Sequence, residues 1–313
     1  MTVLISKPAF NLRESLNSLK REIGLKGAEI MRADTIDDVY NVIGNNRNML
    51  INGGFDVWQR GTVRTNMPSG TYYSADRWHG YSEVSGRTYS QDTTEALSIG
   101  FKSCLKAINS TVSPSFYQKI EDVRTAAGKY VTLSFWIKAD KTHKPTPQKI
   151  EQYFGSGGSA SVAVSVPVIE ITTEWKKFTI TVMLPSVAGK TIGDGSYILV
   201  YPFTMDPSTT YWTTGWQFEL GSVATPFEHR PYAEELALCQ RYYEVGEIAF
   251  PGSLSICSGM FTVQKRASPT MTRISNVYSG AEAGTFVPLS SIAYYVHTPS
   301  TWGGGRFTAE AEL

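Results

Sequence analysis

The sequence predicts a mainly β protein: short N-terminal helices, then an antiparallel jelly-roll β-sandwich, then a small C-terminal β-rich domain. Three observations predict it. Apolar and polar residues alternate over several separate stretches between 129 and 220, the period-2 signature of strands buried on one face. Turn-forming glycines and serines separate these stretches, and no long helical pattern lies between them, which points to antiparallel sheets. Charged residues make up only 18% of the 313 residues, below the ~25% of an ordinary soluble domain, as suits a strand-rich, assembled protein.

Residues 1–47 carry charge more densely than the rest of the chain. Asn11 followed by Glu14 reads as a capping-box-like helix start. Leu12, Leu16, Leu19 and Ile23 then form a short heptad-like seam that Gly24 ends. A second short helix runs from Asp34 through Ile36, Val39, Tyr40 and Ile43 to Gly44. Helices of about ten residues are marginal alone, so their apolar stripes need a partner: copies of themselves, a larger assembly, or the following domain.

Residues 48–230 form the sandwich. In 129–139, Val131, Leu133, Phe135 and Ile137 share one face, with Thr132, Ser134, Trp136 and Lys138 on the other. Val162, Val164, Val166 and Val168 repeat the pattern, as do Phe178, Ile180 and Val182. Residues 197–203 and 212–220 supply two more strands, and Gly155-Ser-Gly-Gly and Gly193-Asp-Gly provide turn chemistry. Residues 231–313 open with a helix expected over 233–243. Strand-like pieces follow around 259–265, 270–277, 291–296 and 307–313, punctuated by Pro269, Pro288 and Pro299. This region is small for an independent core and is expected to pack on the sandwich or on partner subunits.

With 29 Lys+Arg against 28 Asp+Glu the formal charge is +1, and no basic block is present to neutralise phosphates, which argues against a dedicated nucleic-acid binder. Disorder is excluded by 42% hydrophobic and 12% aromatic content. Cys104, Cys239 and Cys257 form no CxxC pair and read as small buried apolar residues. Neither a signal peptide nor an apolar run of membrane-spanning length is visible, so synthesis in a cytoplasm without membrane insertion is expected.

The chain holds no HExxH, GxSxG or Walker pattern, and no enzyme activity is expected. Asp76, Glu121, Glu170 and Glu219 are the carboxylates a glycosidase pair would draw on, each expected instead at a solvated strand end. Of the seven tryptophans, Trp58, Trp78, Trp175 and Trp216 are assigned to the core, where large rings contribute most buried area. Trp136 lies on the strand face opposite the apolar row. Trp212 follows Tyr211 after a Pro207-Ser-Thr-Thr loop, and Trp302 precedes three glycines near Tyr294-Tyr295. Trp136, Tyr211, Trp212, Tyr294, Tyr295 and Trp302 are therefore the candidate stacking platforms for a sugar ring.

Residues 48–61 read Asn-Met-Leu-Ile-Asn-Gly-Gly-Phe-Asp-Val-Trp-Gln-Arg-Gly, and 73–78 read Tyr-Ser-Ala-Asp-Arg-Trp. Residues 216–231 read Trp-Gln-Phe-Glu-Leu-Gly-Ser-Val-Ala-Thr-Pro-Phe-Glu-His-Arg-Pro and run on into Glu234-Glu-Leu-Ala-Leu-Cys-Gln-Arg-Tyr-Tyr243. These segments resemble bacteriophage tail-fibre and related virion proteins whose sandwich is similar to a carbohydrate-binding jelly roll. Lys7-Pro-Ala-Phe-Asn-Leu-Arg13 with Ile23-Gly-Leu-Lys-Gly27 resembles the virion-attachment end of short phage fibres. The resemblance implies a homotrimeric virion fibre fixed to other virion proteins through residues 1–47, with its far end meeting a host surface glycan. Its alternative is a purely architectural head fibre, capsid decoration or baseplate component. The resemblance also implies a structural calcium near Asn52 and Asp56, two of the ~6 oxygen donors such a cation takes; no other cofactor is implied.

Overall fold

The computed structural model describes residues 47–67, 70–82, 86–108, 115–250, 256–275, 282–283, 285–297 and 303–313. The helices expected in the first 46 residues lie outside these.

Strands are numbered along the chain. One six-stranded antiparallel sheet runs in the order β1 (Val63–Met67), β4 (Arg87–Asp92), β5 (Cys104–Ile108), β12 (Thr210–Leu220), β7 (Tyr130–Ala139) and β10 (Lys176–Met183). The other runs β2 (Gly70–Tyr73), β3 (His79–Ser82), β6 (Ser115–Glu121), β11 (Tyr197–Phe203), β8 (Pro147–Tyr153) and β9 (Val162–Ser165). From β5 to β8, and again from β9 to β12, each strand lies in the opposite sheet from its predecessor. The chain thus wraps around one core as a jelly roll does.

The alternating rows meet between the sheets. Val131, Leu133, Phe135 and Ile137 of β7 pack with Phe178, Ile180 and Val182 of β10 and, across the core, with Ile120, Ile150, Ile198 and Val200. Each such side chain contributes ~1.5–3 kcal/mol by leaving water. Trp216 stacks on Phe135 at 4.2 Å, and Trp78 stacks on Phe116 at 4.8 Å. Trp58, Trp78 and Trp216 are buried as expected, whereas Trp175 sits half-buried on the outside of the first sheet. Trp212 and Trp216, four residues apart, would share a face of a regular strand. A bulge between Thr214 and Gln217, centred on Gly215 at φ +66°, inserts one residue and sends Trp216 inward while Trp212 stays outside.

Helix α1 (Tyr232–Gln240) leads into the C-terminal part. One sheet there holds β13 (Tyr243–Phe250), β19 (Gly303–Glu310) and β15 (Thr270–Ser275), with β16 (Glu282–Ala283) parallel to β19. The other holds β14 (Ile256–Met260), β18 (Ala293–His297) and β17 (Thr285–Pro288). Their core is small: Phe261, Phe286, Tyr294, Val296, Phe307 and Ala309.

What joins the two parts is a buried cluster of charge. Arg77 donates to the Glu312 carboxylate and, at 2.7 Å, to the Lys119 carbonyl. Arg60 lies 3.2 Å from Asp76 and 3.5 Å from Glu312. The Arg60 guanidinium caps the Tyr243 ring at 3.6 Å and that of Arg77 caps Tyr242 at 3.4 Å. Beside them, Arg230 reaches the Asn48 and Leu50 carbonyls and both Glu228 and Glu235. Residues 48–61, 73–78 and 216–243 of the sequence analysis thus converge on this junction.

Burial pushes the Asp76 carboxyl up to about 6, against the pull of Arg60 and the Gln59 N–H. Burial, with Arg77, Lys119 and Arg60 nearby, holds His79 well below its ordinary 6.5. The signs are opposite. As pH falls below 6.5 the unfolded chain protonates His79 before the folded one does, so this stabilisation is lost on the acid side. For Asp76 the stabilisation is present below 3.8 and is lost as pH rises through about 6. Relative to wild type, His79→Gln is expected to gain stability as pH falls from 6.5 to 4.5. Asp76→Asn is expected to gain as pH rises from 4 to 6.5. Urea midpoints across that range check both; parallel curves for all three proteins would refute the assignment.

Candidate functional site

The residues nominated from sequence do not gather in one place. Tyr211 is fully buried: its hydroxyl accepts the Asp206 N–H at 2.7 Å and pairs with His143 Nε2 at 2.6 Å. Burial pushes this phenol up, and it has no face to offer a sugar. Tyr294 is likewise a core residue, 4.7 Å from the Phe307 ring. Tyr295 is partly exposed on the other face of β18, and Trp302 lies outside the described residues.

Trp136 and Trp212 do lie on the outer face of the first sheet, with Trp175 beside them. Cross-strand pairing places Lys106, Trp212 and Lys138 in one row. Lys106 stands 5.3 Å and Lys138 5.0 Å from the Trp212 ring, and Lys138 is also 5.6 Å from that of Trp175. Lys138 in turn holds Glu95 at 2.5 Å, and the Trp175 indole donates to the Glu95 carbonyl at 3.0 Å. Since β5 and β7 flank β12, the two lysines approach Trp212 from either side. An ammonium from each neighbouring strand therefore stands near the ring.

The proposed calcium ligands are also engaged. The Asn52 amide donates to the Val57 and Asp76 carbonyls while its oxygen accepts the Val57 N–H at 3.0 Å. Asp56 accepts the Ser103 hydroxyl at 2.8 Å. Among the described residues no group of three or more His, Cys, Asp or Glu side chains is arranged to hold a metal ion. Asn52 and Asp56 therefore do not fit a calcium shell; the turn around Asn52, at φ +59°, is held by the protein alone.

A second group of aromatic rings, half-buried to exposed, lines the outer face of the second sheet, which the sequence alone did not single out. On β11, Ile198 and Val200 face the core, so Tyr197, Leu199 and Tyr201 face outward. Register with β6 and β8 extends these into three rows. Tyr117 and Tyr201, 6.2 Å apart, form the first with Lys149. Lys119, Leu199 and Glu151 form the second. Glu121, Tyr197 and Tyr153 form the third, with the last two rings stacked at 4.6 Å. Tyr153 keeps 39% of its surface. The Lys119 ammonium stands 4.7 Å from the Tyr197 ring and donates to the Leu313 carbonyl at 2.8 Å.

Two loops lock together beyond the third row. Gly193 N–H donates to the Phe154 carbonyl at 2.7 Å, and Ser156 pairs with Asp194 through an isolated bridge. A Cβ on Gly193 would fall 1.9 Å from the Ser156 carbonyl oxygen, so this close approach requires glycine. Rings, amides and hydroxyls are thereby held in fixed relation at that end of the face.

The carboxylates of the face are poor proton donors. Burial acts to raise Glu121, but hydrogen bonds from Arg241 and Tyr242 outweigh it and hold it below its ordinary value. Burial likewise acts to raise Glu151, and Lys149 and Ser161 bring it down. Asp76 and Glu219, expected at solvated strand ends, are instead buried, the latter bonded to Thr225 and Gln217. Glu170 is exposed beside Lys144. Cys104 and Cys239 are buried free thiols, and burial pushes Cys104 up to about 12.

No protein-family model matches the chain, and no curated protein matches it. Among solved structures, the CBM22-1 xylan-binding domain of Paenibacillus barcinonensis Xyn10C is similar over 51% of this chain and 94% of that one, at 14% identity and a TM-score of 0.34. A xylan-binding domain from CBM 22 is similar over 50% and 98%, at 15% identity and a TM-score of 0.36. The enzymatically active domain of bacteriophage CBA120 tailspike protein 4 is similar over 56% of this chain and 22% of that one, at 15% identity and a TM-score of 0.33.

The lysine–tryptophan row carries its own test. Trp212→Ala leaves Lys106 and Lys138 without the ring between them and is expected to cost about 2–3 kcal/mol in urea unfolding. Trp212→Phe should recover most of this. A loss below 0.5 kcal/mol would show that the row does not bear on folding.

Proposed function

We propose that this chain is a non-enzymatic, glycan-binding subunit of a bacteriophage virion fibre, acting as a homotrimer that attaches the particle to its host. The observation that carries the binding reading is the tyrosine face, where exposed and partly exposed rings stand among hydrogen-bonding Lys and Glu side chains. Such rings stack on the C–H face of a pyranose while the polar groups between them meet its hydroxyls. A hydrolase would need a carboxyl with a raised value as proton donor; Glu121 and Glu151 are held low, which favours binding without cleavage.

The fibre reading rests on the resemblance of residues 48–61, 73–78 and 216–243, with residues 1–47 as the segment attached to other virion proteins. The protein would be made in the host cytoplasm and reside in the virion. Three copies per fibre multiply weak sites, since linked sites raise avidity by ~10²–10⁴. A second, purely architectural reading is favoured by one feature: Met260, Leu289 and Ile292 of the C-terminal part are exposed apolar side chains of the kind that subunit contacts cover.

Glycan arrays probed with the purified full chain test the binding reading. Wild type is expected to retain host lipopolysaccharide or another surface glycan. Tyr153→Ala with Tyr197→Ala should lose roughly tenfold or more in affinity with unchanged thermal melting. An array with no bound glycan would leave only the architectural role. Light scattering should give three times the chain mass, and a monomer at micromolar concentration would remove the fibre.

A further inference from the structure

The three rows of the tyrosine face differ in chemistry, and their order along β11 carries information. Tyr201 and Tyr197 lie four residues apart on one strand, which at ~3.3 Å per residue separates the two aromatic rows by about 13 Å. A single pyranose ring is no wider than one row spacing, so one sugar cannot touch both. The row between them is not aromatic. Its floor is Leu199, with Lys119 on the neighbouring β6 and Glu151 on the neighbouring β8.

Both flanking groups are held in place before any ligand arrives. Lys119 donates one proton to the Leu313 carbonyl at 2.8 Å, which leaves two for another acceptor. Glu151 is held 2.7 Å from Lys149 and keeps free lone pairs as an acceptor. The middle row thus offers a donor on one side and an acceptor on the other, over an apolar floor. Both carboxylates of the face already have a cation at contact, Lys149 at 2.7 Å from Glu151 and Arg241 at 2.9 Å from Glu121, so ion pairs within the protein, and not a charged sugar, satisfy most of its charge.

Resting on the glycan-binding reading above, we infer that the tyrosine face takes an uncharged oligosaccharide of at least three consecutive units laid along β11. The outer units stack on the Tyr117–Tyr201 and Tyr153–Tyr197 pairs, and the middle unit is hydrogen-bonded by Lys119 and Glu151. Length is therefore the specificity-determining property of the ligand. A terminal monosaccharide engages one pair and leaves the second site empty.

Calorimetry on the full chain with three uncharged series tests this: xylose to xylohexaose, glucose to cellohexaose, and N-acetylglucosamine to its hexamer. At least one series is expected to show a rise of roughly tenfold or more between two and three units and a plateau beyond about four, since no further row exists. Tyr201→Ala and Tyr153→Ala should each abolish that rise, and Glu151→Gln should weaken the trimer while melting is unchanged. Equal affinity for monomer and hexamer would overturn the inference. So would silence in all three series from a protein that binds charged glycans on an array, which leaves the glycan-binding reading standing. A chain that binds nothing in either assay overturns that reading as well.

Discussion

Glu312 is a carboxylate with 2% of its side-chain surface left to water, placed between the Arg60 and Arg77 guanidiniums, where it ties the C-terminal segment to the sandwich. Taking such charges out of water is costly, and their mutual attraction offsets that only when geometry is good and remaining donors are met. Here each guanidinium also lies on a tyrosine ring, Arg60 on Tyr243 and Arg77 on Tyr242. A sandwich with its own core needs no partner. The C-terminal part, with six buried residues in its cluster among the described residues, meets it at this junction. Removing either arginine would leave the buried Glu312 carboxylate with one of its two cations, so the junction favours one arrangement of the two parts.

The same constraint explains where sequence patterns end. A helix is expected over 233–243, but α1 stops at Gln240, because Tyr242 and Tyr243 must leave it to reach opposite arginines. Strand periodicity was legible where core and solvent faces differ strongly, as in 130–139 and 197–203. The valine row beginning at Val162 breaks after Ser165, since Pro167 cannot donate to a ladder. β8 shows no apolar period because Gln152 replaces an apolar residue on its inner face; its amide N–H donates to the Pro185 carbonyl at 2.9 Å. Most of the short strands before residue 121 carry too few apolar residues to show a period.

The candidate site was less legible, for a physical reason. Tyrosine at both ends of a Tyr-Ile-Leu-Val-Tyr alternation already places two rings opposite a β-branched core row, and this was a usable signal. Tyr117, Lys119, Glu151 and Tyr153 join them only through the pairing of β6 and β8 to β11, which no local pattern encodes. Tryptophan, in contrast, drew attention by size alone. Trp212 lies outside the sandwich because the bulge at Gly215 breaks the alternation with Trp216, and pairing again decides its surroundings, because the lysines beside it come from β5 and β7.

The two outer faces thus separate by what stands beside each ring. On the first sheet, Trp212 and Trp175 each have an ammonium near the ring, and the segment around Glu95 packs against the cluster. On the second, Tyr197 has an ammonium close by, from Lys119, and Tyr153 at the other side of the stacked pair is exposed. Trp212 has an ammonium near it from each neighbouring strand, whereas Tyr153, stacked on Tyr197, keeps 39% of its surface open to water. On the reading proposed above, the tyrosine sheet is the one that meets a ligand, and the sheet that carries the outer tryptophans is the structural face.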